Sequence, residues 1–188
     1  MNWESVKEDA YYRGRMLESD ARRSSDPQKW EEYADLKTRK GSYTLAIHGY
    51  LNAAVQYENR RETNAALSAY ESGWSAAMRA DNKELAVILT YRMAQLHEQQ
   101  EDWDAAIGAY ERLGAFCEKK GAHFQAADAY EHAAEAMLRA GKSVVHYQKP
   151  IALWERNIHH WEAHGHDHDA VWSRKHIDLY KKLFGVEE

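Results

Sequence analysis

The sequence predicts an all-α chain of about nine antiparallel helices packed side by side as a solenoid. Three observations carry this. Helix-forming Ala, Glu, Leu, Lys, Arg and Gln fill most stretches, and only 2 prolines and 10 glycines interrupt 188 residues, while strand signals are almost absent. Small and aromatic residues recur every 20 positions between 46 and 137. Turn-forming triplets keep the same interval, leaving helices of about 17 residues joined by reversals long enough only for an antiparallel return.

Taken in order, residues 2–23 read as one helix. Asp26 and Pro27 then form an N-cap and N1 pair that opens a second helix to about Arg39. From there the repeat takes over. Ala46, Ala66, Ala86, Ala106 and Ala126 stand 20 residues apart, and four positions after each come Tyr50, Tyr70, Thr90, Tyr110 and Tyr130. Offsets of 7, 8 and 11 add Ala53, Ala54 and Tyr57 in the first of these helices and Leu113, Gly114 and Cys117 in the fourth. Such offsets trace one face of an α-helix.

The reversals fall at KGS (40–42), RRE (60–62), ADN (80–82), QED (100–102), KGA (120–122) and AGK (140–142), so that two helices make a 40-residue repeat. Alanine and glycine along each seam let two axes approach, and the aromatic residue of a neighbour fills the space they leave. No helix buries such a face alone, so stability comes from stacking. After AGK the interval slips: the next reversal is near Gly165, and SVVHYQKP carries about four extra residues. Pro150 then predicts a helix starting at or just before it, and a last helix runs from about 168 to 184. The expected organisation is a single domain, 1–188, with N-terminal helices (1–41), a repeat core (42–141) and C-terminal capping helices (142–188).

The stretch AYERLGAFCEKKGAHFQAADAYEHAAEAM (109–137) resembles a tetratricopeptide repeat. Tyr110, Leu113, Gly114 and Cys117 lie on its first helix, and Ala126, Tyr130 and Ala133 on its second. QEDWDAAIGAYERL (100–113) resembles the turn and second helix of the same motif, with Trp103 near the loop aromatic. The likeness covers 42–141. It departs from the standard motif in its 40-residue pair in place of 34 and in lacking a closing proline, and the longer helices are more similar to soluble NSF attachment proteins or to the sensor domains of some bacterial regulators. The resemblance implies a right-handed superhelical stack that binds other proteins.

Composition narrows the function classes. The longest aliphatic run, LAVIL at 85–89, and a mean hydropathy of -0.81 leave no stretch able to span a bilayer. Acids in MNWESVKEDAYYRGR stand where a signal peptide needs bases, and Cys117 is the only cysteine, so a reducing, cytoplasmic setting is expected. Residues 41–141 hold 14 acids against 9 bases, whereas the flanks are balanced, and the net charge is -5. Nucleic acid is therefore a poor partner and a cationic protein surface a better one.

Chemistry is sparse apart from HHWEAHGHDHD (159–169), which holds five of the eleven histidines. His160 and His164, four apart on one helix face, could share a Zn, Ni or Cu ion, with His166 or His168 folding over from the turn. No Glu stands between them as a general base. The alternative is structural: Gly165 ends one helix, and Asp167 or Asp169 caps the next. Cys117 and His97 sit at inward repeat positions and read as packing, serines lack a GxSxG context, and Glu71, Glu111 and Glu131 follow the repeat. No catalytic residue and no cofactor are expected, and the chain reads as a non-enzyme.

In the resembled family, the first helix of each pair supplies most ligand contacts. Pairs at 42–80, 82–120 and 122–160 would present His48, Leu51, Val55 and Glu58, then Ile88, Tyr91, Gln95 and Glu98, then Asp128, Glu131, Glu135 and Leu138. Shifting the pairing by one helix presents Ser68, Glu71, Ser75 and Met78, then Gly108, Glu111, Ala115 and Glu118. The first pairing, apolar residues mixed with acids, predicts an interaction scaffold or adaptor whose groove takes a basic or amphipathic segment of a partner. Two alternatives stand beside it: a structural subunit docking through Trp3, Trp30, Trp161 and Trp172, with the oligomeric state open, and a metal-dependent activity or sensing function at 159–169.

Overall fold

The computed structural model describes residues 15–144 and 147–184, and among these all regular structure is α-helical. Nine helical segments follow in order: α1 (15–23), α2 (Pro27–Arg39), α3 (Tyr43–Asn59), α4 (Thr63–Ala80), α5 (Lys83–Gln99), α6 (Trp103–Lys119), α7 (His123–Arg139), α8 (Lys149–Ala163) and α9 (Asp167–Phe184). The predicted boundaries from α2 to α9 agree to within about two residues. Residues 2–14 of the expected first helix, and Trp3 with them, lie outside the described residues. By internal packing the chain divides into two compact units, residues 1–96 and 97–188.

The 20-residue interval has a backbone cause. A left-handed residue closes each helix at Gly41, Arg61, Asp81, Glu101, Gly121 and Gly141, and the next one is Gly165. In each case the following amide reaches back to a carbonyl five residues earlier, as Ser42 N does to Lys37 O and Ala122 N to Cys117 O, both at 2.9 Å. This Schellman closure satisfies the orphan carbonyls and turns the chain within three residues. Asp26, Asn82 and Asp102 add side-chain caps to the helices that follow them, accepting from the amides of Gln28, Leu85 and Ala105.

Within each unit, helices pack on their sequence neighbours, α2 to α3 to α4 in the first and α6 to α7 to α8 to α9 in the second. The inward positions predicted from the repeat are buried or half-buried throughout. Close approach needs the glycines. A Cβ on Gly49 would stand 2.8 Å from that of Ala34 and 3.1 Å from the Trp30 carbonyl, and one on Gly114 would stand 2.7 Å from the Tyr130 ring. Trp30 corrects an expectation: it is 8 % exposed, edge-on to Tyr33 with ring centroids 5.9 Å apart, and is core instead of a docking aromatic.

A polar ladder runs along the seams. Each repeat tyrosine sends its hydroxyl to the preceding helix, Tyr50 to Asp35 at 2.6 Å, Tyr70 to Glu58, and Tyr110 to Glu98 at 3.4 Å. Tyr130 meets Glu118 in the same register. Burial first, and the facing carboxylate second, push the Tyr50 phenol up to about 12, and burial likewise raises Tyr70 and Tyr110. For Tyr70 and Tyr110 the partner lies 12 residues upstream. Where the repeat replaces tyrosine by Thr90, the residue 12 upstream is Met78, and the Thr90 hydroxyl bonds instead to Ala86 O at 2.8 Å. Donor and acceptor have changed together, as a buried seam requires. Tyr70→Phe should therefore destabilise by about 1–2 kcal/mol, because Glu58 loses its donor. Urea unfolding of the full chain measures this, and an unchanged midpoint would remove the ladder from the account.

Candidate functional site

The second unit holds the densest chemistry. On α7, residues Asp128, Glu131, Glu135 and Leu138 succeed one another along one side of the helix at spacings of three and four. Glu131 is half-buried and meets His176 of α9, with Nδ1 to Oε2 at 3.2 Å. Burial, followed by the Asp128 charge, pushes its carboxyl up to about 7, while the Trp154 indole beside it pulls the other way. Burial lowers His176. Next to Glu131 in the chain, His132 pairs with Glu135 at 3.5 Å and stacks on Tyr110. That hydrogen bond raises the imidazole and lowers the carboxyl.

Around Glu131 stands an aromatic nest. Fully buried Trp154 on α8 meets Phe124 of α7 at 5.2 Å and Trp172 of α9 at 5.4 Å between ring centroids, and the His176 ring lies 3.8 Å from that of Trp172. Below it, Tyr180 donates to the Tyr147 carbonyl at 2.6 Å, and Tyr147 donates to Glu111 at 3.1 Å. The sequence reading missed this nest. Its signal was present in Trp154 and Ile158 on α8, and in Trp172, His176 and Tyr180 on α9, each set at helical spacing. The four-residue slip after 142 hid it by taking both helices out of the repeat.

The other face residues fall as follows. In the first unit His48, Val55, Ile88 and Gln95 are exposed, and Leu51, Glu58 and Tyr91 are half-buried. Glu58 is engaged by Tyr70. In the second unit Glu98 accepts from Tyr110 and pairs with Arg139 at 3.3 Å, so its charge is already matched.

At the histidine-rich turn, the His160 and His164 rings lie 4.4 Å apart, and His164 Nδ1 is 2.7 Å from the His160 carbonyl. His166 turns toward Trp161, and His168 is exposed in the first turn of α9. Among the described residues no three His, Cys, Asp or Glu side chains converge as ligands for one ion. Gly165, at φ +73, ends the reversal. The capping position falls on His166, whose carbonyl accepts from Ala170 N at 3.2 Å, so Asp167 and Asp169 lie inside the first turn of α9 instead of capping it. There they complement the helix dipole.

The turn between α6 and α7 borders a cleft of about 430 Å³ with the start of α7 on one side and Asn157, His160 and Trp161 of α8 on the other. Cys117, close by in sequence, is buried. None of the described helices is long and apolar enough to cross a membrane. Compared with family models and with curated proteins, the chain matches none.

Proposed function

We propose that this chain is a non-catalytic, tetratricopeptide-like interaction protein that binds a basic or amphipathic segment of a partner protein. The right-handed superhelical stacking, the likeness to soluble NSF attachment proteins and the cytoplasmic setting implied by the sequence are parts of the same reading. The observation that carries it is where aliphatic side chains remain in water. Val55 on α3, Ile88 on α5 and Leu138 on α7 are 42 %, 48 % and 44 % exposed, on the helices expected to supply ligand contacts and beside polar or acidic neighbours. At the corresponding places α4 and α6 carry Ser68, Ser75, Gly108 and Ala115, with Met78 as the single large apolar residue. Exposed apolar anchors edged by acids fit an amphipathic cationic ligand.

Asp128 and Glu135 supply the charge on α7, because Glu131 is only partly ionised near neutral pH. Peptide display against the full chain should therefore enrich sequences in which Lys or Arg alternates with apolar residues. Affinity for the enriched peptides should fall about tenfold in Asp128→Lys/Glu135→Lys and fall further with added salt. Enrichment without a charge preference, or binding indifferent to the double reversal, would sink the proposal.

A second reading, a subunit of a larger or homo-oligomeric assembly, is favoured by Val171, Trp172 and Leu179, which stay exposed on α9. Sedimentation separates the two: concentration-dependent association that Leu179→Glu abolishes supports the assembly, and a monomer that selects peptides supports the first reading.

A further inference from the structure

We infer that the cleft between the start of α7 and α8 is a binding site for a small apolar monocarboxylate. The inference uses the second unit alone and does not depend on the interaction surface proposed above. The first helical amides of α7 have no partner within their own helix, and the N-cap residue, Ala122, has no side chain to offer one. A helix start of this kind favours an anion, but by itself it would be satisfied by water.

The independent observation is on the opposite wall. Asn157 of α8 is only 4 % exposed, lines the cleft, and has no hydrogen-bond partner for its Nδ2. His123 Nδ1, on the near wall, is buried without a partner as well. A buried amide donor left unpaired carries its full desolvation cost, and native interiors seldom leave one so. The α8 wall therefore holds an amide N–H in want of an acceptor across from the free first-turn amides of α7, and none of the described lining residues is acidic.

The rest of the cleft sets the ligand's body. Phe124 and Trp161 contribute apolar ring surface, and a volume of about 430 Å³ lies in the range of small-molecule sites. A lone water or inorganic anion would satisfy the donors and leave these rings wet. A carboxylate on a compact apolar or aromatic body serves both: its oxygens accept from the α7 amides and from Asn157, and its body covers the rings. His160 stands at the rim, where an imidazolium would add attraction for the anion.

Phenylacetate is a suitable probe, with phenylacetamide as its neutral isostere. Titrated into the ¹⁵N-labelled full chain, phenylacetate should move the amides of residues 121–125, the Asn157 side-chain amide and the Trp161 indole along one saturable curve. Phenylacetamide should bind at least about tenfold more weakly. Asn157→Leu, which removes the unpaired donor, should weaken phenylacetate by about tenfold or more. Absence of saturation by about 10 mM phenylacetate, equal binding of the amide, or undiminished binding to a folded Asn157→Leu would each overturn the assignment. If that variant does not fold, the comparison of the two probes on the unaltered chain decides alone.

Discussion

Trp154→Ala should destabilise the second unit by about 3–5 kcal/mol, the range for emptying a buried tryptophan site. In a chain of this size that lowers the unfolding midpoint by about 6–20 °C. The reasons are local. The indole has no exposed surface, its ring contacts extend to Phe124 of α7 and to Trp172 and His176 of α9, and these helices meet across it. Three elements therefore lose packing at once, and the cavity cannot collapse by moving only one of them. Thermal unfolding followed by near-ultraviolet dichroism measures the loss. Trp154→Phe should recover more than half of it, since most of the ring surface returns. A loss below about 1 kcal/mol in the alanine variant would mean that α9 is not held through this nest.

That nest marks where the sequence stopped being readable. From α3 to α7 every turn has one length and one closure, so a single 20-residue interval in alanines and tyrosines predicts both boundaries and inward faces. A periodic signal of that kind depends only on local helix geometry. The tyrosine ladder was half visible: Glu58, Glu98 and Glu118 repeat in the sequence, but their partners lie on the following helix, and nothing in one helix's pattern says that its acids face a seam. They look like solvent-facing acids, which is why Glu58 and Glu98 were expected to meet a ligand. Trp30 failed for the related reason that its burial depends on α3, whose Gln56 and Gly49 lie near it, and not on its own helix. The histidine-rich turn was conspicuous by composition: its His160 and His164 rings do lie 4.4 Å apart, and among the described residues no third ligand joins them. The cleft was legible in no segment, because its two walls come from α7 and α8, which stand on either side of the slip in the sequence interval after 142.

Glu131→Gln should stabilise the chain by about 3 kcal/mol above neutral pH and leave it nearly unchanged below pH 4.5. The sign follows from the proton. In the folded state the carboxyl keeps its proton up to about pH 7, whereas the unfolded chain releases it near the ordinary 4.5. Between those values the native state binds more protons than the unfolded one, so this group lowers stability as pH rises through the window, and its full penalty is present above it. Burial is the main cause and Asp128 the next. Glutamine keeps the shape and can still hydrogen-bond His176 while carrying no charge. Burial also lowers His176, which weakens the fold in acid, and that burial is common to both chains. Asp128, His132 and Glu135 are likewise common to both chains. Urea midpoints of the two proteins should therefore converge near pH 4 and diverge by pH 8. The opposite divergence, with the variant weaker at pH 8, would mean that Glu131 and His176 form a stabilising ion pair. In that case α9 would be fastened to α7 by charge as well as by the aromatic nest, and protonating Glu131 would weaken that fastening.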